Sequence, residues 1–164
     1  MKLITDVQEK LQEEVDSAFD NDEEVDNLET INSLEYLEQV ILESSRRYTA
    51  NPVLFRHCTK DYLLPGTDIT IKKGWEVNVF PPGIHMDPDI YPEPEHFDPS
   101  RFTREERAAR HPMAFQAFGQ GPRYCIGKAF AMLGTTGICS LQFVVRARGC
   151  NTGSFKSPYT HYRL

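Results

Sequence analysis

The clearest capacity for chemistry lies in a glycine-rich loop, Phe118-Gly119-Gln120-Gly121-Pro122-Arg123-Tyr124-Cys125-Ile126-Gly127. Its glycines let the backbone turn tightly and approach a flat ligand, and Pro122 stiffens the loop between them. Arg123 offers a planar fork of donors that suits a carboxylate. The apolar residues after the loop predict a helix, whose first amide groups favour the thiolate form of Cys125. The loop therefore offers a thiolate to a metal, beside a cation for a carboxylate.

The spacing Phe-x-x-Gly-x-Arg-x-Cys-x-Gly is filled at every defined position, and it resembles the haem-binding signature of the cytochrome P-450 family. The alternative is a structural cysteine in a glycine-rich turn. The resemblance implies that the cofactor is haem b and that Cys125 is its iron ligand and the catalytic residue. It also implies a set of residues around the haem: Phe118, Gly119, Gly121, Pro122, Arg123, Gly127 and Ala131. Among these, Arg123 is expected to hold a haem propionate.

Three charged residues resemble a second feature of the same family. Glu43 and Arg46 lie one turn apart in a segment that is apolar nearly all round, which predicts a buried helix. Buried ions persist only when paired, although this spacing is also typical of a surface ion pair. The run Phe97-Asp98-Pro99-Ser100-Arg101-Phe102 is similar to the family's second arginine motif. The resemblance thus implies a buried triad of Glu43, Arg46 and Arg101 that supports the cysteine loop.

Other charged residues allow two interpretations each. Arg56 stands where related proteins carry an arginine near a haem propionate, but it is equally a candidate for a surface arginine beside a sheet. His57 could bind a metal, but the sequence shows no second ligand beside it. A lone histidine of this kind is more often structural. Three lysines are candidates either for a basic patch that binds an acidic electron donor or for ordinary solvated surface. They are Lys72, Lys73 and Lys128.

Length, charge and cysteine spacing exclude several classes of protein. The chain has 164 residues, enough for one domain with a core, and a net charge of −6, which argues against nucleic acid as a partner. Its four cysteines form no CxxC pair, so neither a zinc site nor a disulfide framework is expected. No apolar run is long enough to span a bilayer, and Met1-Lys2-Leu3-Ile4 does not begin a signal peptide. No targeting or transmembrane segment is therefore expected in this chain.

The hydrophobic pattern predicts an α+β chain that is mainly helical. Helices are expected where apolar residues recur at helical spacing, short strands where they alternate between turns, and an irregular meander where prolines cluster. The predicted order is a helix over 1–19, a loop over 20–27, a helix over 33–48, a small antiparallel sheet over 53–79, a meander over 81–99 and a helix over 126–145. Residues 1–145 are expected to form part of a cytochrome P-450 haem domain, and 146–164 a divergent or disordered tail.

The resemblance covers nearly the whole chain and is strongest to eukaryotic microsomal members, judging by Lys73-Gly74-Trp75 and Tyr91-Pro92-Glu93-Pro94-Glu95-His96-Phe97. It implies a haem-thiolate monooxygenase that inserts one oxygen atom of O2 into a lipophilic substrate. Electrons are expected from NADPH through a separate reductase, because the chain has no GxGxxG motif or P-loop. The full-length relative is expected in the endoplasmic reticulum membrane, held by an N-terminal anchor that is absent here.

Family members are much longer, so the chain is interpreted as a C-terminal fragment without monooxygenase activity of its own. Gly134 stands where an acidic residue is common, and the tail does not resemble the usual terminal hairpin. Two alternatives remain open. Some relatives isomerise or dehydrate oxygenated lipids without external electrons, and the residues that distinguish them lie upstream. The chain is also a candidate for a truncated product with no catalytic role.

Overall fold

The computed structural model describes residues 2–19 and 28–147. Its helices are α1 (Lys2–Ala18), α2 (Leu28–Ser33), α3 (Glu35–Arg47), α4 (Pro81–His85), α5 (Arg104–Ala109) and α6 (Lys128–Ala147). Its strands are β1 (Leu54–His57), β2 (Tyr62–Leu63), β3 (Thr70–Ile71) and β4 (Glu76–Val79), and short 3₁₀ turns lie at Pro99–Phe102, Pro112–Ala114 and Gly121–Arg123. The described residues divide into two compact units, one comprising residues 35–132 and the other the described parts of 1–34 and 133–164. The predicted loop over 20–27 and nearly all of the predicted tail, from residue 148 onward, lie outside the described residues.

The buried helix predicted over 33–48 is α3, although it begins two residues later. The preceding helix α2 ends at Ser33, whose hydroxyl donates to the Thr30 carbonyl at 2.8 Å, and Leu34 separates the two helices. Acidic residues in the first turn of α3 and arginines in its last turn complement the helix dipole. Its buried residues combine apolar and charged side chains: Leu37, Ile41, Leu42, Glu43 and Arg46. The helix therefore buries an ion pair among apolar side chains.

Two two-stranded antiparallel sheets replace the single sheet that the sequence predicts over 53–79. Strand β1 pairs with β4, and β2 pairs with β3. Between these pairs the Asp61 carboxylate takes the place of a strand carbonyl, because it accepts from the Lys73 backbone N–H at 2.8 Å and from Lys72 Nζ at 2.9 Å. The backbone bond from Lys73, followed by the bond from Lys72, lowers the pKa of Asp61. Side-chain bonds of this kind compete with backbone pairing and are typical of aspartate.

The proline-rich segment contains a helix that the sequence analysis missed. We expected prolines to exclude regular structure over 81–99, but Pro81 and Pro82 occupy the first turn of α4. In the first turn of a helix a backbone N–H has no intrahelical acceptor, so proline loses no hydrogen bond there. The fixed φ of proline also suits a helix. The helix is five residues long and ends in the buried His85. The expectation was therefore wrong for residues 81–85.

Aromatic packing forms the core of the unit comprising residues 35–132. Leu42 of α3 packs with Tyr91 and Phe102, and Ile90, Phe115 and Met132 lie against this cluster. The rings of Phe102 and Phe115 meet edge to face with centroids 5.1 Å apart, and the Tyr91 hydroxyl donates to the Ala114 carbonyl at 3.3 Å. The core therefore connects α3, the meander and the segment that leads into the cysteine loop.

The second unit buries one face of α1. Leu11, Val15 and Phe19 are buried, in agreement with the predicted apolar stripe on the first helix. Ile31 and Leu34 are also buried in this unit. The last predicted helix is α6, which begins at Lys128 rather than 126 and continues to Ala147. Among the described residues, no helix combines the length and the apolar character needed to cross a membrane.

Candidate cofactor site

The cysteine loop is closed by its own main chain. The Cys125 N–H donates to the Phe118 carbonyl at 2.8 Å, and the Tyr124 N–H donates to the Gly121 carbonyl at 3.1 Å. Gly119 and Gly121 have φ angles of +68° and +74°, a region that side chains disfavour. These two glycines are therefore required by the backbone path of the loop.

The loop presents its cysteine at the surface, at the start of α6. Cys125 is an exposed free thiol, and its carbonyl accepts the Lys128 N–H at 3.2 Å. Gly127 lies beside the sulfur, so that a Cβ at this position would be 3.9 Å from Sγ. The Ala131 N–H donates to the Gly127 carbonyl at 2.8 Å, which places Ala131 one helical turn beyond the loop. The sulfur is thus accessible to a ligand.

Large apolar side chains near Cys125 are exposed rather than packed into a core. Ile126 is 99% exposed and Phe130 is 83% exposed. Phe118 is half-buried, with the Lys128 ammonium 5.8 Å from its ring centroid, and Pro122 is exposed. Ile126 and Phe130 were not among the candidate site residues, although apolar residues directly after a candidate ligand are a signal for an apolar contact surface. An accessible thiol with apolar neighbours fits a flat apolar ligand that contains a metal.

The structure brings Arg56 and Arg123 to one cavity of about 550 Å³. Arg56 extends from β1 and donates from Nη1 to the Phe55 carbonyl at 2.7 Å, whereas Arg123 comes from the cysteine loop. His57 also lines this cavity. Two guanidinium groups from separate elements at one cavity suit a ligand that carries carboxylates.

The structure also brings together Glu43, Arg46 and Arg101. Arg46 binds the Glu43 carboxylate through two nitrogen atoms, Nε to Oε2 at 2.7 Å and Nη2 to Oε1 at 2.8 Å. Both residues are almost completely buried. Burial rules out the surface-pair interpretation. Arg101 Nε lies 3.8 Å from Glu43 Oε1, which already accepts the Asp98 N–H at 3.0 Å. Within the described residues, Arg101 Nε is buried without a hydrogen-bond acceptor, so the triad is asymmetric.

Arg46 also binds two carbonyl groups of the meander. Nη1 donates to the His85 carbonyl at 2.6 Å, and Nη2 donates to the Pro94 carbonyl at 2.7 Å. The Arg46 guanidinium lies 5.1 Å from the centroid of the Tyr91 ring. One side chain thereby fixes three parts of the meander to α3.

One of the three lysines considered for a basic patch forms an ion pair. Lys72 pairs with Asp61 at 2.9 Å on the exposed surface, so part of its charge is compensated. Lys128 lies over Phe118 at the cysteine loop instead. The contacts favour the interpretation of Lys72 as solvated surface.

The sequence model of the family described as cytochrome P450 matches residues 4–141. The chain belongs to the cytochrome P450 family. The glycine-rich loop and the Glu43–Arg46 pair lie inside the matched range.

Curated relatives from insects and a solved structure agree with the family assignment. Probable cytochrome P450 6a14 of Drosophila melanogaster is 44% identical over 134 residues, which is 81% of this chain and 26% of that protein. Cytochrome P450 6B7 of Helicoverpa armigera is 42% identical over 133 residues, again 81% of this chain and 26% of the relative. The chain thus spans about a quarter of the length of these relatives. The crystal structure of the cytochrome P450DA heme domain superposes with a TM-score of 0.78 at 28% identity, covering 85% of this chain and 30% of that one.

These findings confirm three expectations from the sequence. The family is the cytochrome P450 family, the fold is the mainly helical α+β arrangement of part of a P450, and the cofactor of the family is haem. The P450 family is a family of haem monooxygenases, which are oxidoreductases.

Proposed function

We propose that this chain forms the thiolate side of the haem site of a P450 monooxygenase, with Cys125 as the iron ligand. The observation that carries the proposal is the exposed Cys125 thiol on a loop closed by its own backbone. Exposed apolar residues follow the cysteine, and Arg123 lies in the same loop. When bound there, haem supplies the redox chemistry by which one oxygen atom of O2 enters a lipophilic substrate.

The residues of this chain have distinct roles in the proposal. Cys125 binds the iron, and Phe118 packs beside the thiolate. Backbone amides near Gly127 would donate toward the iron-bound sulfur and would tune its electron donation, as groups around a metal ligand do. Arg123 and Arg56 orient the haem by binding its propionates. The remaining predicted contact residues, Gly119, Gly121, Pro122 and Ala131, keep the backbone and the first turn of α6 close to the flat ligand.

For the whole protein we propose an NADPH-dependent reductase as electron donor and the endoplasmic reticulum membrane as location. Family membership and the similarity to eukaryotic P450 proteins of insects support both proposals. Family membership likewise supports the proposal that the substrate is lipophilic.

The 164-residue chain alone is expected to bind haem without catalysing substrate oxidation. Oxidation chemistry requires a site that excludes water, whereas Cys125 and Ile126 are exposed in this chain. The test is the absorption spectrum of the purified chain with added haem, reduced and exposed to carbon monoxide, followed by turnover assays with a reductase and lipophilic substrates. A strongly red-shifted Soret band without product is the expected result. The proposal is refuted if haem binds without that band, and product formation would overturn the expected inactivity.

Replacing either arginine at the 550 Å³ cavity is expected to weaken haem binding while preserving the thiolate. Arg123→Gln and Arg56→Gln each remove a charge-assisted bond to a propionate, and we expect about a tenfold loss of affinity from each. Haem titrations measure the affinity, and the reduced carbon monoxide spectrum reports the ligand. Arg104→Gln is the control, because Arg104 is exposed on α5 and pairs with Glu35. Equal affinities in all three variants would exclude the proposed role of the cavity.

A further inference from the structure

A fully buried histidine connects α3 to the segment that enters the cysteine loop. His85 is 0% exposed at the end of α4. Its Nε2 atom accepts the backbone N–H of Gln116 at 2.9 Å. Its Nδ1 atom lies 3.1 Å from the Arg46 carbonyl oxygen and 3.0 Å from Thr49 Oγ1. Both ring nitrogens are therefore engaged, and by different elements.

These partners define the protonation state of the ring. Nε2 accepts from an amide N–H, so it must present a lone pair. The Arg46 carbonyl has no proton to give, so it must receive one from Nδ1. His85 is accordingly a neutral imidazole with its proton on Nδ1.

The surroundings hold the ring in this orientation. The imidazole stacks on the Phe115 ring with centroids 5.5 Å apart and an interplanar angle of 19°, and Tyr91 meets it edge to face at 6.4 Å. Arg46 Nη1 donates back to the His85 carbonyl at 2.6 Å. Arg46 and His85 thus each donate a side-chain proton to the other's backbone carbonyl, so the two residues hold each other in place.

A short series of backbone bonds leads from this histidine to the cysteine. Gln116 is bound to His85 through its N–H, and its carbonyl accepts the Gly119 N–H at 3.0 Å. That turn contains Phe118, whose carbonyl accepts the Cys125 N–H at 2.8 Å. The position of Gln116 therefore sets where the loop begins.

We propose that His85 is a positioning residue that anchors the cysteine loop to the end of α3 through the Gln116 amide. The inference rests on the proposed function in that the loop holds the thiolate ligand. A positively charged imidazole would direct an Nε2–H at the Gln116 N–H, so the anchor exists only with the neutral ring. Nothing in the sequence pattern marked this residue, because its partners lie 31 and 39 positions away in the chain.

The charges around His85 favour the neutral form. Burial lowers its pKa most, the nearby Arg46 charge lowers it further, and the hydrogen bond to the Arg46 backbone opposes both. Tyr91 is the other titratable group against the ring, and burial raises its pKa. The ordinary pKa of histidine is about 6.5, so on acidification the unfolded chain binds this proton before the folded chain does. The contribution of His85 to stability is complete above about pH 6.5 and is lost as the pH falls toward the lower folded pKa.

Two substitutions of His85 distinguish the hydrogen bond to the Gln116 amide from the packing of the ring. His85→Gln places an amide oxygen near the position of Nε2 and retains an acceptor for Gln116, whereas His85→Asn reaches only the position of Nδ1. We expect the Gln116 amide to exchange with solvent about tenfold faster in the asparagine variant and nearly at the wild-type rate in the glutamine variant. With haem and carbon monoxide added, the asparagine variant is expected to lose a larger fraction of the thiolate Soret band than the glutamine variant.

The wild-type chain supplies an independent test if both variants fail to fold. Nitrogen chemical shifts of labelled histidine are expected to show the Nδ1–H tautomer for His85, unchanged through the ordinary histidine pKa of about 6.5. Ordinary titration of His85, or equal Gln116 exchange in the two variants, overturns the anchor. A wild-type chain that binds haem without a thiolate signature contradicts the proposed function instead, so the two failures are distinguishable.

Discussion

Cys125→Ala is expected to abolish the red-shifted Soret band of the haem-loaded, reduced and carbon monoxide-treated chain. The band depends on electron donation from a thiolate, and alanine offers no ligand atom. Removing groups that merely surround a metal ligand costs about 10–100-fold in affinity, so loss of the ligand itself should exceed about 100-fold. Haem titration and the carbon monoxide spectrum measure the two effects on the same samples.

Cys58→Ala is the matched control for this substitution. Cys58 is half-buried in the same unit, and its Sγ donates to the Lys60 carbonyl at 2.8 Å. Its removal disturbs one local turn and should leave the Soret band in place. Retention of the band in Cys125→Ala, with loss in Cys58→Ala, would show that our proposal names the wrong cysteine as the iron ligand.

Arg46→Ala is expected to destabilise the chain by about 3–5 kcal/mol, which is a large part of the stability of a domain of this size. The substitution leaves the Glu43 carboxylate buried, with Arg101 Nε still 3.8 Å away, and it removes the bonds to the His85 and Pro94 carbonyls. Urea unfolding should show a much lower midpoint with an unchanged slope.

Two comparisons make the Arg46 experiment decisive. Arg104→Ala removes an exposed pair with Glu35 and should cost at most about 1 kcal/mol. The double variant Glu43→Leu/Arg46→Met replaces both charges by apolar groups and should be more stable than Arg46→Ala, because no unpaired carboxylate remains. An Arg46→Ala chain as stable as the Arg104→Ala control would show that the buried pair contributes no more than a surface pair.

The sequence predicted the parts of the fold that depend on local pattern. Helix α3 and the pairing of Glu43 with Arg46 follow from spacing within one helix, and the cysteine loop follows from its glycines. The unequal triad did not follow, because the Asp98 N–H competes with Arg101 for the same carboxylate oxygen. That competition depends on how the meander folds back onto α3.

The position of prolines in a first turn accounts for one further difference, and long-range contacts account for the others. Helix α4 does not follow from the pattern, because proline breaks a helix in its interior, whereas here the prolines occupy the first turn. Between the two sheets, the Asp61 carboxylate accepts from the backbone of Lys73, twelve residues away. The His85 anchor is of the same kind, since each of its ring nitrogens binds a distant backbone group. Such partners leave no periodicity in the chain.

The main-chain closure of the cysteine loop has a consequence for how this surface diversifies. The bond from the Cys125 N–H to the Phe118 carbonyl uses no side chain, and the glycine conformations at 119 and 121 complete the path. The exposed side chain of Tyr124 therefore contributes little to holding the sulfur. Natural variation or engineering can alter the outer chemistry of the loop at this position while the sulfur stays in place. The backbone of the loop then holds the thiolate position constant while an exposed side chain varies.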